Sequence, residues 1–293
     1  MITRRRALGL AAGALLLPSC SARSGRAVVV GSKNFTESFV IADIYARALE
    51  AHGIPVRRRL DLGSTQIALA ALQHGDIDLY PEYTGTALVD VLHHAPIRDP
   101  NAVLRIVARS FARRFDAIWL QPSPMNDSQA LATTHAVAAR YDLSTLSQLA
   151  VLAPSLRLAT IPEFLGRPDG LPGLQRFYGG FHFAHIETYD IGLKYEALLR
   201  GEADVATAFT TDAQIVLDRL VVLRDDRHFW PPYHVAPVVR ARTLAERPAI
   251  RTILDALAPA ITTARMQRMN AAVEGEHLDP DSVARQFLRM HPV

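Results

Sequence analysis

From Ala27 onward, apolar runs of strand length alternate with helical patterns, and this alternation predicts an α/β fold built from parallel units. Two of the apolar runs end in loops that carry polar and aromatic side chains and that open the next helix. These loops are residues 31–37 (GSKNFTE) and residues 80–86 (YPEYTGT). Because open α/β sheets bind ligands at the carboxyl ends of their strands, we expect both loops to face one ligand cleft.

The first loop also carries a helix-start pattern. Asn34 is followed three residues later by Glu37, and apolar residues then recur at helical spacing, at Val40, Ile44 and Ala48. A polar residue followed by glutamate at this distance is typical of a capping box. The pattern therefore predicts that Asn34 caps a helix and that Glu37 completes the cap.

The N-terminus has the features of an export signal. Three arginines at positions 4–6 precede an apolar run of 11 residues, 7–17, which is too short to span a bilayer. We therefore predict a signal peptide over residues 1–19, and the arginines leave both the general and the twin-arginine export routes open. Residues 17–20 (LPSC) resemble a bacterial lipobox, so Cys20 is the predicted lipidation site; a cleaved signal with an incidental cysteine is the alternative.

The charge balance and the cysteine count exclude several classes of protein. The formal net charge of +3 comes from the three signal-peptide arginines, because their removal leaves 29 basic residues against 29 acidic ones. A neutral mature protein lacks the basic surface that a nucleic-acid partner requires. Cys20 is the single cysteine, which excludes disulfides, zinc-thiolate sites and cysteine nucleophiles. The motifs of hydrolases, zinc proteases and phosphate-binding loops are also missing, so we predict no catalytic set, no metal and no cofactor.

The length of the chain and two proline-rich segments predict two lobes. A mature chain of about 270 residues exceeds the usual size of a single core. Residues 121–124 (QPSP) and residues 230–232 (WPP) form rigid connectors where the chain is expected to cross between lobes. We therefore predict that residues 27–124 and 231–293 form lobe 1 and that residues 125–230 form lobe 2. Two crossings imply a hinge, and a hinge implies a cleft that closes.

The two loops, together with residues 229–233 (FWPPY), closely resemble the substrate-binding proteins of ATP-binding-cassette (ABC) importers for glycine betaine, choline and related compatible solutes. The resemblance covers nearly the whole chain from about Ala27. It implies a two-lobe periplasmic-binding-protein fold, in a monomer held in the periplasm or at the outer face of the cytoplasmic membrane. The implied partners are a quaternary amine ligand, an ABC permease and a separate ATPase subunit, with membrane attachment through the lipid alone.

A quaternary ammonium group neither donates nor accepts a hydrogen bond, so aromatic faces are the natural way to hold it, at about 0.5 to 2 kcal/mol each. By the resemblance, Tyr83 and Tyr233 are two walls of such an aromatic cage, and core or rim packing is the alternative for both. Phe209 stands at a third wall, where the family has tyrosine, and core packing is an equal alternative. Gln129 stands where the family has a fourth tyrosine, which predicts a weaker or altered cage.

A betaine also carries a carboxylate, which requires cationic or hydrogen-bonding partners. By the resemblance, Lys33, Thr86 and Arg167 occupy the positions that bind it, while the alternative for the two cations is that they are ordinary solvated loop charges. Two other functions stay open. A sensor domain without transport predicts the same pocket, and an exported enzyme on the same fold requires an acid, base or nucleophile in the cleft.

Overall fold

The computed structural model describes residues 26–293 as two five-stranded sheets covered by helices. The predicted signal peptide and Cys20 lie outside the described residues. The strands are β1 (Val28–Gly31), β2 (Val56–Arg59), β3 (Leu79–Tyr83), β4 (Ala117–Trp119), β5 (Gln129–Thr133), β6 (Arg157–Thr160), β7 (His185–Thr188), β8 (Val205–Phe209), β9 (Val221–Val222) and β10 (Val235–Arg240). Within residues 26–293, no helix combines the length and apolar character needed to span a bilayer.

Helices occupy most of the chain between the strands. They are α1 (Thr36–Ala51), α2 (Thr65–His74), α3 (Thr84–Thr86), α4 (Pro100–Phe115), α5 (His135–Tyr141), α6 (Leu146–Leu152), α7 (Pro162–Gly166), α8 (Leu171–Tyr178), α9 (Leu193–Leu199), α10 (Ala213–Leu217), α11 (Ala241–Glu246), α12 (Ala249–Leu257), α13 (Thr263–Glu274) and α14 (Pro280–Met290). A π-helical turn over Ala87–Val91 continues α3. Single 3-10 turns over Ala153–Ser155 and Ala258–Ala260 follow α6 and α12.

The sheets confirm the predicted two-lobe α/β class. One sheet has the order β2-β1-β3-β10-β4 and the other the order β7-β6-β8-β5-β9, and we call these lobe 1 and lobe 2. The chain therefore crosses between lobes after β4 and again before β10. The residue boundaries predicted for the lobes stay predictions.

Two strands depart from the expected parallel arrangement. β10 runs antiparallel to β3 and β4, and β5 runs antiparallel to β8 and β9. Both strands are entered directly from a crossing segment, without the helical connection that returns a chain to the same edge of its sheet and makes a parallel neighbour. The sequence pattern shows the alternation of elements, but it does not show the direction in which a strand enters from the other lobe.

The capping box predicted at the start of α1 is wrong. The helix begins at Thr36 after an extended Phe35, and no side chain caps it. Asn34 is exposed, while Glu37 is only 4% exposed and turns its carboxylate away from the helix end toward Tyr83. Nearby, the Ser38 hydroxyl accepts a hydrogen bond of 2.9 Å from the Lys33 backbone N–H. Glu37 matches the local capping pattern, but its carboxylate instead accepts a hydrogen bond from Tyr83, which is distant in sequence.

Aromatic packing anchors the core of lobe 1 between α4 and the sheet. The Phe111 ring is fully buried and meets the rings of Phe115 and Trp119 edge to face, with centroids 4.9 and 5.3 Å apart. Such pairs add to the stabilisation that the burial of the rings already provides. Trp119 lies in β4, the last strand before the first crossing, so this cluster also holds the lobe 1 end of the hinge.

We expect Phe111→Ala to lower the free energy of unfolding by about 3 to 5 kcal/mol, because it removes a fully buried ring from a packed cluster. The measurement is urea denaturation followed by circular dichroism. Val151→Ala is the control, since that side chain is 79% exposed and its loss should cost less than about 0.5 kcal/mol. Equal losses in the two variants would contradict the assignment of this core.

Candidate functional site

Tyr83 and Tyr233 lie on neighbouring backbones where β3 and β10 meet. Tyr83 is opposite Val235 in the antiparallel pairing, and Tyr233 precedes β10 by two residues. The Tyr233 ring packs directly on Gly85, where an added Cβ would lie 2.5 Å from a ring carbon. Both tyrosines are only 3% exposed. The structure therefore brings the two predicted cage walls together at the boundary between the lobes.

Each of these two tyrosines donates a hydrogen bond from its hydroxyl to a buried carboxylate. The Tyr83 hydroxyl donates to Oε1 of Glu37 at 2.7 Å, and the Tyr233 hydroxyl donates to Oδ2 of Asp169. Burial, reinforced by the neighbouring carboxylates, raises the pKa of both tyrosines well above the ordinary value. Both hydroxyls therefore stay protonated as donors at physiological pH, and both ring orientations are fixed.

Phe209 and Gln129 lie opposite each other where β8 and β5 meet. Phe209 is half-buried, and Nζ of Lys194 lies 5.9 Å from the centre of its ring. Gln129 is buried, with 6% of its surface exposed. The two lobe 2 positions predicted for the cage therefore share one end of the lobe 2 sheet.

The two cations predicted to bind a ligand carboxylate are already paired with protein carboxylates. Nζ of Lys33 donates to Oε1 of Glu82 at 2.5 Å and lies 5.0 Å from the centre of the Tyr83 ring. The Arg167 guanidinium donates two bonds of 2.8 Å to Asp169 and lies 3.3 Å from Asp90 across the cleft. A ligand carboxylate would have to share Lys33 with Glu82 and Arg167 with Asp169. Thr86 is half-buried in α3.

Asp169 connects Arg167 to Tyr233. Burial raises the pKa of Asp169, but the bonds from Arg167 and Tyr233 outweigh burial, and the pKa lies below its ordinary value. The Trp230 indole also donates to the backbone carbonyl of Asp169 at 2.8 Å, which ties the second crossing segment to this loop. Arg167, Asp169 and Tyr233 therefore form one continuous chain of hydrogen bonds.

A second carboxylate cluster surrounds the Tyr83 hydroxyl. Oε2 of Glu37 accepts a bond of 3.2 Å from the Asn270 amide of α13, and the Thr211 hydroxyl donates to Asp127 at 2.6 Å. Burial raises the pKa of Glu37 to about 7, even though the bonds from Tyr83, Thr211 and Asn270 oppose the shift. Burial and the nearby Glu37 carboxylate raise the pKa of Asp127 well above its ordinary value.

Sequence reasoning assigned no ligand role to these acidic residues or to Asn270. Glu37 lies in the loop singled out by its composition, but its match to a capping pattern concealed its role. Asn270 is 233 residues from Glu37 along the chain, and no local signal connects the two. Phe35 was also missed, although its ring centre lies 6.1 Å from that of Tyr83 and extends the aromatic surface.

The lobes touch on both sides of these tyrosines. On one side α13 contacts lobe 2: the Asn270 amide donates to the Thr211 carbonyl at 2.9 Å, and the Gln267 amide donates to the Thr210 carbonyl at 2.8 Å. On the other side, Asp90 of lobe 1 faces Arg167 of lobe 2. The cleft is therefore closed around Tyr83 and Tyr233.

A cavity of about 540 Å³ lies beside the crossing segments, and it is separate from the two tyrosines. Its lining residues are Arg98, Asn126, Ser128, Gln129, Ala130, Thr210, Val222, Leu223, Arg224, Asp225, His228, Trp230, Pro231 and Pro232. Gln129, one of the predicted cage positions, is among these lining residues. The cavity is lined by both charged and apolar residues, whereas the two tyrosines of the predicted cage lie on neighbouring backbones at the lobe boundary, so we assign the candidate site to the tyrosines.

Comparisons with known proteins agree on one family. Residues 26–290 match the model of the substrate-binding domain of ABC-type glycine betaine transport systems. The chain is 35% identical to a glycine-betaine-binding protein of Pseudomonas aeruginosa, over 89% of this chain and 87% of that one. It is 32% identical to the ergothioneine transport permease/ergothioneine binding protein EgtU of Helicobacter pylori, over 95% of this chain but only 50% of the relative.

A solved structure described as a glycine betaine/carnitine/choline ABC transporter superposes with a TM-score of 0.80 at 32% identity, covering 90% of this chain and 98% of that one. A lactococcal glycine betaine-binding protein in its closed, liganded form superposes with a TM-score of 0.64 at 14% identity, which supports the fold alone; it covers 91% of this chain and 96% of that one. These matches confirm the predicted two-lobe binding-protein fold. The chain belongs to the family of substrate-binding domains of ABC-type glycine betaine transport systems.

Proposed function

We propose that this protein captures a quaternary amine outside the cytoplasm and delivers it to an ABC permease by closing its cleft. The observation that carries the proposal is the pair of buried tyrosines, Tyr83 and Tyr233, fixed at the lobe boundary by hydrogen bonds to carboxylates. Buried aromatic faces beside negative charge suit a cation that cannot form hydrogen bonds. A ligand that contacts both lobes shifts the equilibrium toward the closed form.

The proposed ligand contacts divide by chemical role. The walls for the ammonium group are Tyr83, Tyr233 and Phe209, with Gln129 replacing a fourth ring. Lys33, Thr86 and Arg167 stay the candidates for a ligand carboxylate. The internal pairing of the two cations with Glu82 and Asp169 makes a carboxylate a weaker recognition element than the ammonium group.

Gln129 changes which quaternary amines suit the cage. Losing one aromatic face weakens binding of a bare trimethylammonium group by roughly fivefold to thirtyfold. The amide offers a hydrogen bond that a ring face cannot, so a more polar betaine can recover part of this loss. One relative is named for ergothioneine, a trimethylammonium betaine with a polar ring, and this compound belongs in any ligand screen.

We also propose where the protein is attached and which partners it has. We infer that lipidation of Cys20 tethers a monomer to the outer face of the cytoplasmic membrane, with the permease beside it and a separate ATPase subunit supplying energy. The relatives are named as binding or transport proteins, which favours a binding protein over an exported enzyme.

We expect the purified protein to bind one quaternary amine per chain, measured by isothermal titration calorimetry with choline, glycine betaine, proline betaine, carnitine and ergothioneine. Because one cage wall is missing, Kd for glycine betaine should lie in the micromolar range. Nanomolar binding of glycine betaine would contradict the altered cage, and failure to bind any member of the panel would contradict the function.

Arg167→Ala should weaken choline and glycine betaine alike by about tenfold, because Asp169 loses its charged partner and no longer holds the Tyr233 hydroxyl firmly. An additional loss confined to glycine betaine would measure the direct contact of Arg167 with a ligand carboxylate. Unchanged choline affinity would show that the arginine does not support the cage wall.

Gly85→Ala should weaken the ligand that binds best by about tenfold, because the new methyl group enters the space of the Tyr233 ring and displaces it. The matched control is Gly192→Ala, where an added Cβ meets no atom of the described residues within 4 Å. Calorimetry reports the affinities and circular dichroism verifies folding. Equal affinities in the two variants would refute the close packing of Tyr233 on Gly85.

A further inference from the structure

Glu37 occupies a position from which its charge acts directly on the cage. The side chain lies in the first turn of α1, is 4% exposed and accepts the Tyr83 hydroxyl at 2.7 Å. A phenol that donates to a carboxylate becomes more electron-rich, and its ring face then attracts a cation more strongly. Ionisation of Glu37 therefore changes both the charge of the site and the strength of one of its walls.

The groups that face Glu37 leave a surplus of negative charge. Tyr83, Asp127, Thr211, Asp212 and Asn270 act on Glu37 directly. The next charged or titratable groups around them are Lys33, Glu82, Lys194, Tyr195 and Glu274. Each of the two lysines already forms an ion pair with a carboxylate: Lys33 pairs with Glu82, and Nζ of Lys194 lies 3.7 Å from Asp212. Glu37 and Asp127 therefore remain without a cationic partner among these groups.

Asn270 supplies a second, independent observation at the same place. The side chain is 4% exposed, and its amide nitrogen donates to Glu37 and to the Thr211 carbonyl. Its Oδ1 finds no hydrogen-bond partner within residues 26–293. The amide thus presents its donor end to Glu37 and leaves a buried acceptor oxygen for which no described residue supplies a donor.

We propose that Glu37 determines the charge preference of the site: when ionised, it makes the cage favour a quaternary amine of net charge +1, such as choline, over a zwitterionic betaine. The inference rests on the proposed function and deepens it. A choline-like cation interacts favourably with the surplus acid, whereas the carboxylate of a betaine is repelled by Glu37 and must share Lys33 and Arg167 with Glu82 and Asp169. Glu37 acts through Tyr83 and the field of the site, so it is a positioning residue.

The sign of the pH dependence follows from the pKa of about 7. Glu37 is about one tenth ionised at pH 6 and almost fully ionised at pH 8.5, so choline affinity should rise with pH, by at most about tenfold. The affinity for glycine betaine should change by less than about twofold, because attraction at one pole is offset by repulsion at the other. Choline binding near pH 7 should also release protons, because the cation favours the ionised carboxylate.

The experiment measures Kd for choline and for glycine betaine at pH 6 and pH 8.5 in the natural chain and in Glu37→Gln. The glutamine keeps an acceptor for Tyr83 but carries no charge. It should remove most of the pH-dependent gain in choline affinity and lower the choline-to-betaine preference at pH 8.5 by about tenfold. Proton release, measured in buffers of different ionisation enthalpy, should fall with it.

Asp43→Asn is the matched control. Asp43 is another buried carboxylate of α1, 2% exposed, but it pairs with Arg58 at 2.6 Å and does not contact the cage. It should leave both preferences and the proton release unchanged. If Glu37→Gln does not fold, the pH profiles of the natural chain decide: a choline affinity that does not rise with pH overturns the proposal.

The outcomes separate this inference from the proposed function. Binding by the natural chain with an unchanged choline-to-betaine ratio in Glu37→Gln overturns the role of Glu37 alone. Absence of binding to every quaternary amine overturns the function itself, and the role of Glu37 with it.

Discussion

The site depends on two hydrogen bonds, each from a tyrosine hydroxyl to a buried carboxylate. Tyr83 is held by Glu37 and Tyr233 by Asp169, and both rings are almost fully buried. A hydrogen bond to a charged acceptor contributes about 1.5 to 3 kcal/mol, enough to fix a ring that would otherwise rotate or tilt. The fold provides the two carboxylates from different lobes, since Glu37 begins α1 and Asp169 precedes α8. The aromatic walls are therefore oriented before a ligand arrives.

The same carboxylates determine how charge is distributed in the closed cleft. Lys33 and Arg167 are satisfied by Glu82 and Asp169, so the cations do not dominate the site. Burial raises the pKa of both Glu37 and Asp127, and the nearby Glu37 carboxylate raises the pKa of Asp127 further, so both acids resist ionisation. On the proposed function, binding of a cation relieves this cost, because a positive charge between the two tyrosines stabilises the ionised acids. In the proposed function, a cationic ligand therefore lowers the free-energy cost of ionising the buried acids in the closed cleft.

Much of the fold was predictable because its signals are local. Apolar runs, turn residues and the two proline-rich connectors predicted the α/β class and the two lobes, and the two sheets confirm both. The antiparallel entry of β5 and β10 was not predictable, since strand direction depends on which lobe the chain arrives from. The capping box at Asn34 failed for a related reason: the carboxylate of Glu37 gains more from Tyr83, 46 residues away, than from the helix end.

Only some residues of the candidate site could be predicted from the sequence. Resemblance selected Tyr83 and Tyr233, and the structure puts them side by side, but their ligand contacts stay predictions. The partners of the cations were not predicted, although Asp169 stands just two residues after Arg167. Asn270 had no sequence signal, because it reaches Glu37 only after α13 packs across the cleft.

The most direct test of the account is a crystal structure of the protein with choline bound. We expect the ammonium nitrogen within about 6 Å of the ring centres of both Tyr83 and Tyr233, with the two hydroxyls still bonded to Glu37 and Asp169. Choline bound in the cavity beside the crossing segments, with those tyrosines untouched, would contradict it.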